Sequence, residues 1–339
     1  MRKLLVIKTS SLGDVIHLLP ALTDLQTHAP DVQVDWVVEE AFAEVPRWHP
    51  NVHRVLPVAL RRWRKQAWQS ATRAAVRNEW RTFSTALQQE HYDWVLDAQG
   101  LLKSAWLTRL AHGTACGYDR HSMREPLASW FYQRRTGVSR QLHAISRNRL
   151  LTAQTLGYDI QQTVLDYGIA QQTFKDFPTL AGFAQGHVPP YLVALHGTSR
   201  VDKEWAETQW QALFAAVTQR GVAVLMPWGN AREFERAQRL AAINPKVQVL
   251  PRCSLTQLAS VLQQASAVIG MDTGLMHLAA ALDKPGLALY PVTAPQLTGV
   301  WANSHATVPL YSLAGDETRD TAAVIQRLLA VLPTESTLG

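Results

Sequence analysis

A carboxylate, a hydroxyl, a glycine and a histidine crowd into one short stretch of this chain. Asp272, Thr273, Gly274, Leu275 and His277 follow the apolar run 267–269 and open a segment of small residues. The run reads as a buried strand that breaks at Gly270, and the segment from Gly274 reads as a helix. In an open α/β sheet, ligands bind where strands end, and the free N–H groups at the start of the next helix attract phosphate. The plain alternative is a capped helix with Asp272 or Thr273 as its N-cap. The same grammar opens the chain: a strand over 4–7 runs into Lys8-Thr9-Ser10-Ser11-Leu12-Gly13-Asp14. Asp14 can be a simple cap, but it is also the best-placed general base if a hydroxyl must lose its proton.

Two further strand ends carry polar residues. Strand 94–96 stops at Asp97-Ala98-Gln99-Gly100, and strand 191–195 leads into His196-Gly197-Thr198-Ser199 and, a few residues on, Asp202-Lys203. Lys203 with the hydroxyls of Thr198 and Ser199 can meet phosphate charge, although an exposed surface lysine is the commoner situation. His17, His196 and His277 have no metal-ligand spacing, and a lone histidine is more often packed or capping than catalytic. Neither Gly-x-Gly-x-x-Gly nor Gly-x-x-x-x-Gly-Lys-Ser/Thr occurs, so neither the NAD fingerprint nor a P-loop is indicated. An Asp-x-Asp pair, a common diphosphate–metal site, is absent as well.

Charge points to an anionic partner. Residues 1–175 hold 22 Lys and Arg against 15 Asp and Glu, whereas residues 176–339 hold 11 against 12. The excess is concentrated between Arg61 and Arg81, where Arg61, Arg62, Arg64, Lys65, Arg73, Arg77 and Arg81 face one acid, Glu79, with Trp63, Trp68 and Trp80 among them. The later members, at helical spacing, read as a solvated face. The tight Arg61-Arg62-Trp63-Arg64-Lys65 block packs like charges together and favours an oxyanion site. Basic residues with aromatics also suit single-stranded nucleic acid, but no nucleic-acid module surrounds them.

The elements that must position these residues alternate strand with helix in both halves, which calls for parallel sheets with right-handed crossovers. A helix is expected over 15–26, disturbed by Pro20, and others over 101–110, 142–156, 208–218, 231–242 and 321–332. Residues 117–120 and 124–126 read as cationic loop, and 286–290 as the last strand. The Pro-containing stretch 158–190 reads as a domain link. Two domains are expected: 1–175 and 176–320, with a helix near 321–335 that can return to the first. Paired, such domains would leave a cleft with the Asp14 and Asp272 loops at its walls. The apolar run at the N-terminus is too short for a signal peptide and reads as a first strand, and no stretch is long enough to span a bilayer. Two cysteines without metal spacing, Cys116 and Cys253, suit a reduced cytosolic setting.

Several motifs now stand in order: Lys8 to Asp14, Trp36-Val37-Val38-Glu39-Glu40, Arg61 to Lys65, Asp97 to Gly100, Arg124-Glu125-Pro126-Leu127-Ala128-Ser129, Asp202-Lys203 and Asp272 to His277. Together they resemble the bacterial lipopolysaccharide heptosyltransferases over nearly the whole chain. The Arg-Arg-Trp-Arg-Lys block favours the type I branch over type II.

That resemblance implies a GT-B fold, two Rossmann-like domains facing a central cleft, with the acceptor domain first and the nucleotide-sugar domain second. It implies inverting transfer of L-glycero-D-manno-heptose from ADP-heptose to the Kdo of Kdo-lipid A, without a cofactor or essential metal. The alternatives are a type II-like or other ADP-sugar transferase with a different core acceptor and, more remotely, a non-catalytic anion or nucleic-acid binder. Asp14 is then the base, and Lys203, Thr198 and Ser199 hold the diphosphate. Asp272, Thr273, Gly274, Leu275 and His277 contact heptose and phosphate, Glu233 the ribose, and Met226 and Trp228 the adenine. Ser10, Arg61, Arg62, Arg64, Lys65 and Arg124 bind the acceptor. The enzyme would work in the cytoplasm, peripherally on the inner membrane, with no nucleic-acid partner. The chain departs from the family pattern at Tyr290-Pro291-Val292-Thr293-Ala294-Pro295, which lacks an expected acid, and at Met271 and Met276.

Overall fold

The computed structural model describes residues 1–160, 164–180, 189–198 and 200–333. The chain forms two units, Met1–Ile169 and Ala170–Gly339. Each is an α/β unit around one parallel six-stranded sheet. In the first, the strands are β1 (Arg2–Ile7), β2 (Val32–Glu39), β3 (Val52–Val58), β4 (His91–Asp97), β5 (His112–Tyr118) and β6 (Arg134–Thr136), in the spatial order 3-2-1-4-5-6. In the second they are β7 (Tyr191–Leu195), β8 (Ala223–Met226), β9 (Val247–Val249), β10 (Ala267–Met271), β11 (Gly286–Tyr290) and β12 (Leu310–Ala314), in the order 12-11-10-7-8-9. Renumbered from its own first strand, the second sheet repeats the order of the first. This is the doubly wound arrangement, in which the order reverses beside the first strand and leaves a crevice at the carboxyl ends. The reversal falls between β1 and β4 in one unit and between β7 and β10 in the other.

Central strands are buried on both faces because helices cover each side of a parallel sheet. Leu4, Leu5, Val6 and Ile7 of β1 are all buried, as are all five residues of β7 and of β10. On one face of the first sheet, Leu5, Ile7, Val37 and Val95 meet Trp63, Phe83, Leu87 and Leu107 from helices Leu60–Gln66, Ser70–Gln88 and Leu102–Leu110. In the second unit, Leu192, Val224 and Ile269 pack against Trp210 and Phe214 of helix Glu207–Gln219 and Val324 and Leu328 of helix Thr321–Val331.

Several expectations are corrected. The two units meet in sequence at Ile169 and Ala170, near the expected boundary after residue 175, and the last helix has its buried face in the second unit's core. The single helix expected over 15–26 is two, Leu12–Ile16 and Leu19–His28, with Pro20 in the first turn of the second. There its missing N–H costs nothing and its fixed φ suits helix entry. Residues 117–120 are not all loop: Gly117 and Tyr118 end β5. β12 follows β11, so 286–290 is not the last strand. The link 158–190 contains residues 161–163 and 181–188, which lie outside the described residues.

Candidate functional site

In the first unit the loop after β1 is held by the loop after β4, across the point where strand order reverses. Gln99 Oε1 accepts the backbone N–H groups of both Thr9 and Ser10, at 3.0 and 3.1 Å. Lys8 Nζ donates to the Ala98 carbonyl at 2.8 Å, and Trp36 Nε1 donates to the Lys8 carbonyl at 3.0 Å. Burial pushes the Lys8 ammonium below its ordinary value, while the negative charges of Asp14 and Asp97 act in the opposite sense. Asp97 is buried and pushed up by desolvation, yet it accepts from Gln99 N–H at 2.8 Å, Gly100 N–H at 3.0 Å and Tyr132 Oη–H at 2.7 Å. Gly117 makes that last bond possible, since a Cβ there would stand 2.5 Å from the Tyr132 ring.

Asp14 sits in the first turn of helix Leu12–Ile16, and its Oδ2 accepts both the N–H of Ser11 at 2.7 Å and the Ser11 hydroxyl at 3.0 Å. The capping role expected of Asp14 is therefore present. It occupies one carboxylate oxygen. Among the described residues Oδ1 has no hydrogen-bond partner, so a half-buried carboxylate is fixed in orientation with one acceptor open. That arrangement suits a general base, whose geometry must be set before its proton arrives.

The basic block is only partly free. Arg62 forks between Glu40, at 2.9 and 3.0 Å, and Glu79, at 3.1 and 2.7 Å, and these two carboxylates raise its pKa above the ordinary guanidinium value. Trp63 Nε1 also donates to Glu79, at 2.6 Å, and is buried. Arg62, expected to bind the acceptor, is thus already paired with two carboxylates. Glu40 lies in the turn after β2, and the parallel crossover to β3 returns the chain beside it. Arg61 gives its backbone N–H to Glu39 at 2.8 Å and lays its guanidinium over Phe42. Arg61, Arg64, Lys65 and Arg124 are exposed, and no ion pair holds them among the described residues. Ser10 is buried with its N–H on Gln99.

In the second unit the residues converge on Asp272. Its Oδ2 accepts from Lys203 Nζ at 2.8 Å and from Thr293 Oγ1 at 3.1 Å, and its backbone carbonyl accepts from Thr198 Oγ1 at 3.2 Å. Asp272 is thus a partner of lysine and not a helix cap. Thr273 occupies the N-cap position of helix Gly274–Ala281 but makes no side-chain cap bond; Met276 N–H donates to the Thr273 carbonyl at 3.0 Å, and among the described residues the Thr273 hydroxyl and the N–H groups of Gly274 and Leu275 have no partner. Ser199 lies outside the described residues. Gly274 and Leu275 are half-buried in the first turn, whereas His277 is buried.

The loop carrying Lys203 is pinned at both ends by Arg236, which donates to the His196 carbonyl at 2.7 Å and to the Trp205 carbonyl. Arg236 is buried and paired with Glu204 at 3.1 Å, and Arg232 reaches the same carboxylate at 2.6 Å. His196 is buried, and desolvation, aided by Arg236, pushes its imidazole down to about 4. Glu233 accepts from Gly229 N–H at 2.7 Å and Asn230 Nδ2 at 2.8 Å. It stands so near the loop that a Cβ on Gly197 would come within 2.8 Å of its carboxyl carbon. Trp228 is half-buried against Phe234 with its Nε1–H on the Leu250 carbonyl. Met226, expected beside the adenine, is fully buried and belongs to the second unit's core.

Sequence reasoning missed Lys8, Gln99, Thr293 and Arg236 as contributors to the two sites. For Gln99 the available signal was position after a strand that ends beside the reversal, and for Thr293 position after β11, the next strand out from it. For Arg236 there was none. Among the described residues no group of three or more His, Cys, Asp or Glu is arranged to hold a metal ion.

Comparison with known proteins gives the following. The family model described as glycosyltransferase family 9 (heptosyltransferase) matches residues 80–323. Lipopolysaccharide heptosyltransferase 1 of Pseudomonas aeruginosa is 52% identical over 304 residues, covering 89% of this chain and 82% of that protein. The solved structure of the E. coli heptosyltransferase WaaC with ADP superposes with a TM-score of 0.85 at 46% identity, covering 97% of this chain and 99% of that one. The same enzyme with ADP-2-deoxy-2-fluoro heptose gives 0.81 at 46% identity, covering 96% and 98%.

Proposed function

This chain belongs to glycosyltransferase family 9, and on that footing we propose that it moves L-glycero-D-manno-heptose from ADP-heptose to a Kdo residue of the lipopolysaccharide inner core, with Kdo-lipid A as acceptor. The observation that carries the mechanism is the tether of Asp14, one oxygen locked by Ser11 and the other open. Oδ1 takes the proton of the acceptor hydroxyl as that oxygen attacks the anomeric carbon of heptose. The bond from that carbon to the β-phosphate oxygen breaks, and its electron pair leaves with ADP. A single displacement of this kind inverts the anomeric centre.

The second unit would receive the donor. Lys203, already poised by Asp272, and the Thr198 hydroxyl meet the diphosphate, and the free N–H groups at the start of helix Gly274–Ala281 add to them. Glu233 and Trp228 would meet ribose and adenine. In the first unit Arg61, Arg64, Lys65 and Arg124 would meet the acceptor's anionic groups. A nucleotide-activated donor and the two free thiols, Cys116 and Cys253, suit a cytoplasmic location, with the enzyme resting peripherally on the inner membrane. No helix among the described residues is long and apolar enough to cross a membrane.

The test is mass spectrometry of deacylated Kdo-lipid A incubated with the protein, ADP-heptose and excess chelator. A gain of one heptose supports the reaction and its independence of metal. ADP binding without a mass gain would redirect the assignment to an already heptosylated acceptor or another ADP-sugar.

A further inference from the structure

Helix Ser70–Gln88 presents Arg73, Arg77 and Arg81 at intervals of four, all exposed and none paired with a carboxylate among the described residues. Like charges so spaced repel. The helix's own acid, Glu79, does not relieve them, because it is committed to Arg62 and Trp63. Beside that stripe, Trp80 stacks on Trp106 of helix Leu102–Leu110 at 5.1 Å. Trp106 is still 43% exposed, and Leu102 and Arg109 lie on its face of the helix. Segment Pro126–Phe131 packs against the same helix and leaves Leu127 52% and Trp130 73% exposed. Trp68, in the turn before Ser70, is 85% exposed.

Large aromatics left in water beside unneutralised arginines are the composition of an interfacial anchor. Indole rings settle at the headgroup level, and arginines reach lipid phosphates. We propose that this face of the first unit docks on an anionic phospholipid bilayer, with the Arg73–Arg77–Arg81 stripe on headgroup phosphates and Trp106, Leu127 and Trp130 entering the interface. The inference rests on the reading of a lipid-borne acceptor and assigns the surface that meets the membrane carrying it. None of these residues belongs to the Asp14 or Asp272 sites.

Flotation of the full-length protein with vesicles tests it. The protein should float with equimolar phosphatidylglycerol and phosphatidylcholine at low salt, and not with phosphatidylcholine alone. About 0.5 M NaCl should release it, since exposed charges are then screened. Replacing Arg73, Arg77 and Arg81 with Gln should weaken binding about a hundredfold, while Leu127→Ser with Trp130→Ser should weaken it about tenfold. Both variants should retain wild-type circular dichroism and wild-type turnover of a deacylated, water-soluble acceptor. Equal binding to neutral vesicles, unchanged binding by both variants, or burial of the tryptophans in a dimer would each overturn the proposal. No vesicle binding with normal turnover would overturn it and leave the transferase reading standing. Charge-dependent binding with no turnover would support the docking face and count against the transferase.

Discussion

The two units share one strand order but hold their polar residues at the reversal in different ways. In the first, the key carboxylate is fixed by its own turn: Ser11 holds Asp14 from three residues away, and Gln99 stiffens the loop through backbone N–H groups. In the second, the key carboxylate is held by side chains distant in sequence, Lys203 and Thr293, while Arg236 anchors the loop that brings the lysine. One site is an open acceptor on a rigid turn, which suits moving a proton. The other is an ion pair on a loop, which suits exchanging one anion for another. A common scaffold therefore does not dictate common chemistry; the turn residues do.

The comparison breaks first at Asp14. Asp14→Asn should cut turnover by about 10²–10⁴, the range for a general base, with ADP affinity unchanged by calorimetry. Loss of ADP binding in that variant would merge the two roles and defeat the division of labour.

Next in size is an acid sensitivity present in both units. His49 in the first unit and His196 in the second are buried and pushed down to about 4, mainly by desolvation. Asn51 N–H donates to His49 Nδ1 at 3.2 Å, leaving Nε2–H for Thr23 Oγ1 at 2.9 Å, the pattern of a neutral ring. Between pH 6.5 and 4 the unfolded chain protonates these rings and the native one does not. Stability is therefore whole above 6.5 and falls as pH drops toward 4, by roughly 2–3 kcal/mol per histidine. Chemical denaturation across that window checks it; a flat profile with His196→Asn would assign the effect to the second unit.

A smaller effect is expected at the ion pair. Lys203→Ala should weaken ADP binding about tenfold to a hundredfold while leaving the fold intact, as removal of one charge-assisted contact does. Equal ADP affinity would remove Lys203 from the diphosphate site. The smallest contrast sharpens the basic block. Arg62→Gln should lower stability by at most about 1 kcal/mol with little change in acceptor KM, because its charge is spent on Glu40 and Glu79 at a partly exposed site. Arg64→Gln should do the reverse, raising acceptor KM with an unchanged melting temperature.

Much of this was readable in the chain. The strands before the four polar loops stood out because central parallel strands are short apolar runs bounded by breakers. β5 did not, since two glycines dilute His112–Tyr118. β6 and β12 did not either: β6 is only Arg134–Thr136, and β12 is half exposed without alternation. Asp14 and Asp272 were visible from their place after a strand. Their partners divide sharply: Ser11 is a local neighbour, whereas Thr293 is brought to Asp272 by the fold. The same limit hid the pairing of Arg62, whose neutralising Glu40 lies on the far side of a crossover, and the burial of Met226, whose position at a strand end said nothing of which face it turns inward.

The Lys203–Asp272 pair makes the resting site its own competitor. A ligand arriving there does not fill a vacancy; it must outbid a carboxylate already in place 2.8 Å from the ammonium. For a singly charged anion that trade is close to even, since one ion contact replaces another. A diphosphate brings more charge than Asp272 can match, and Thr293 remains to hold the displaced carboxylate. On the reading of Lys203 as a diphosphate ligand, the pair sets a threshold in ligand charge that a lone carboxylate does not pass.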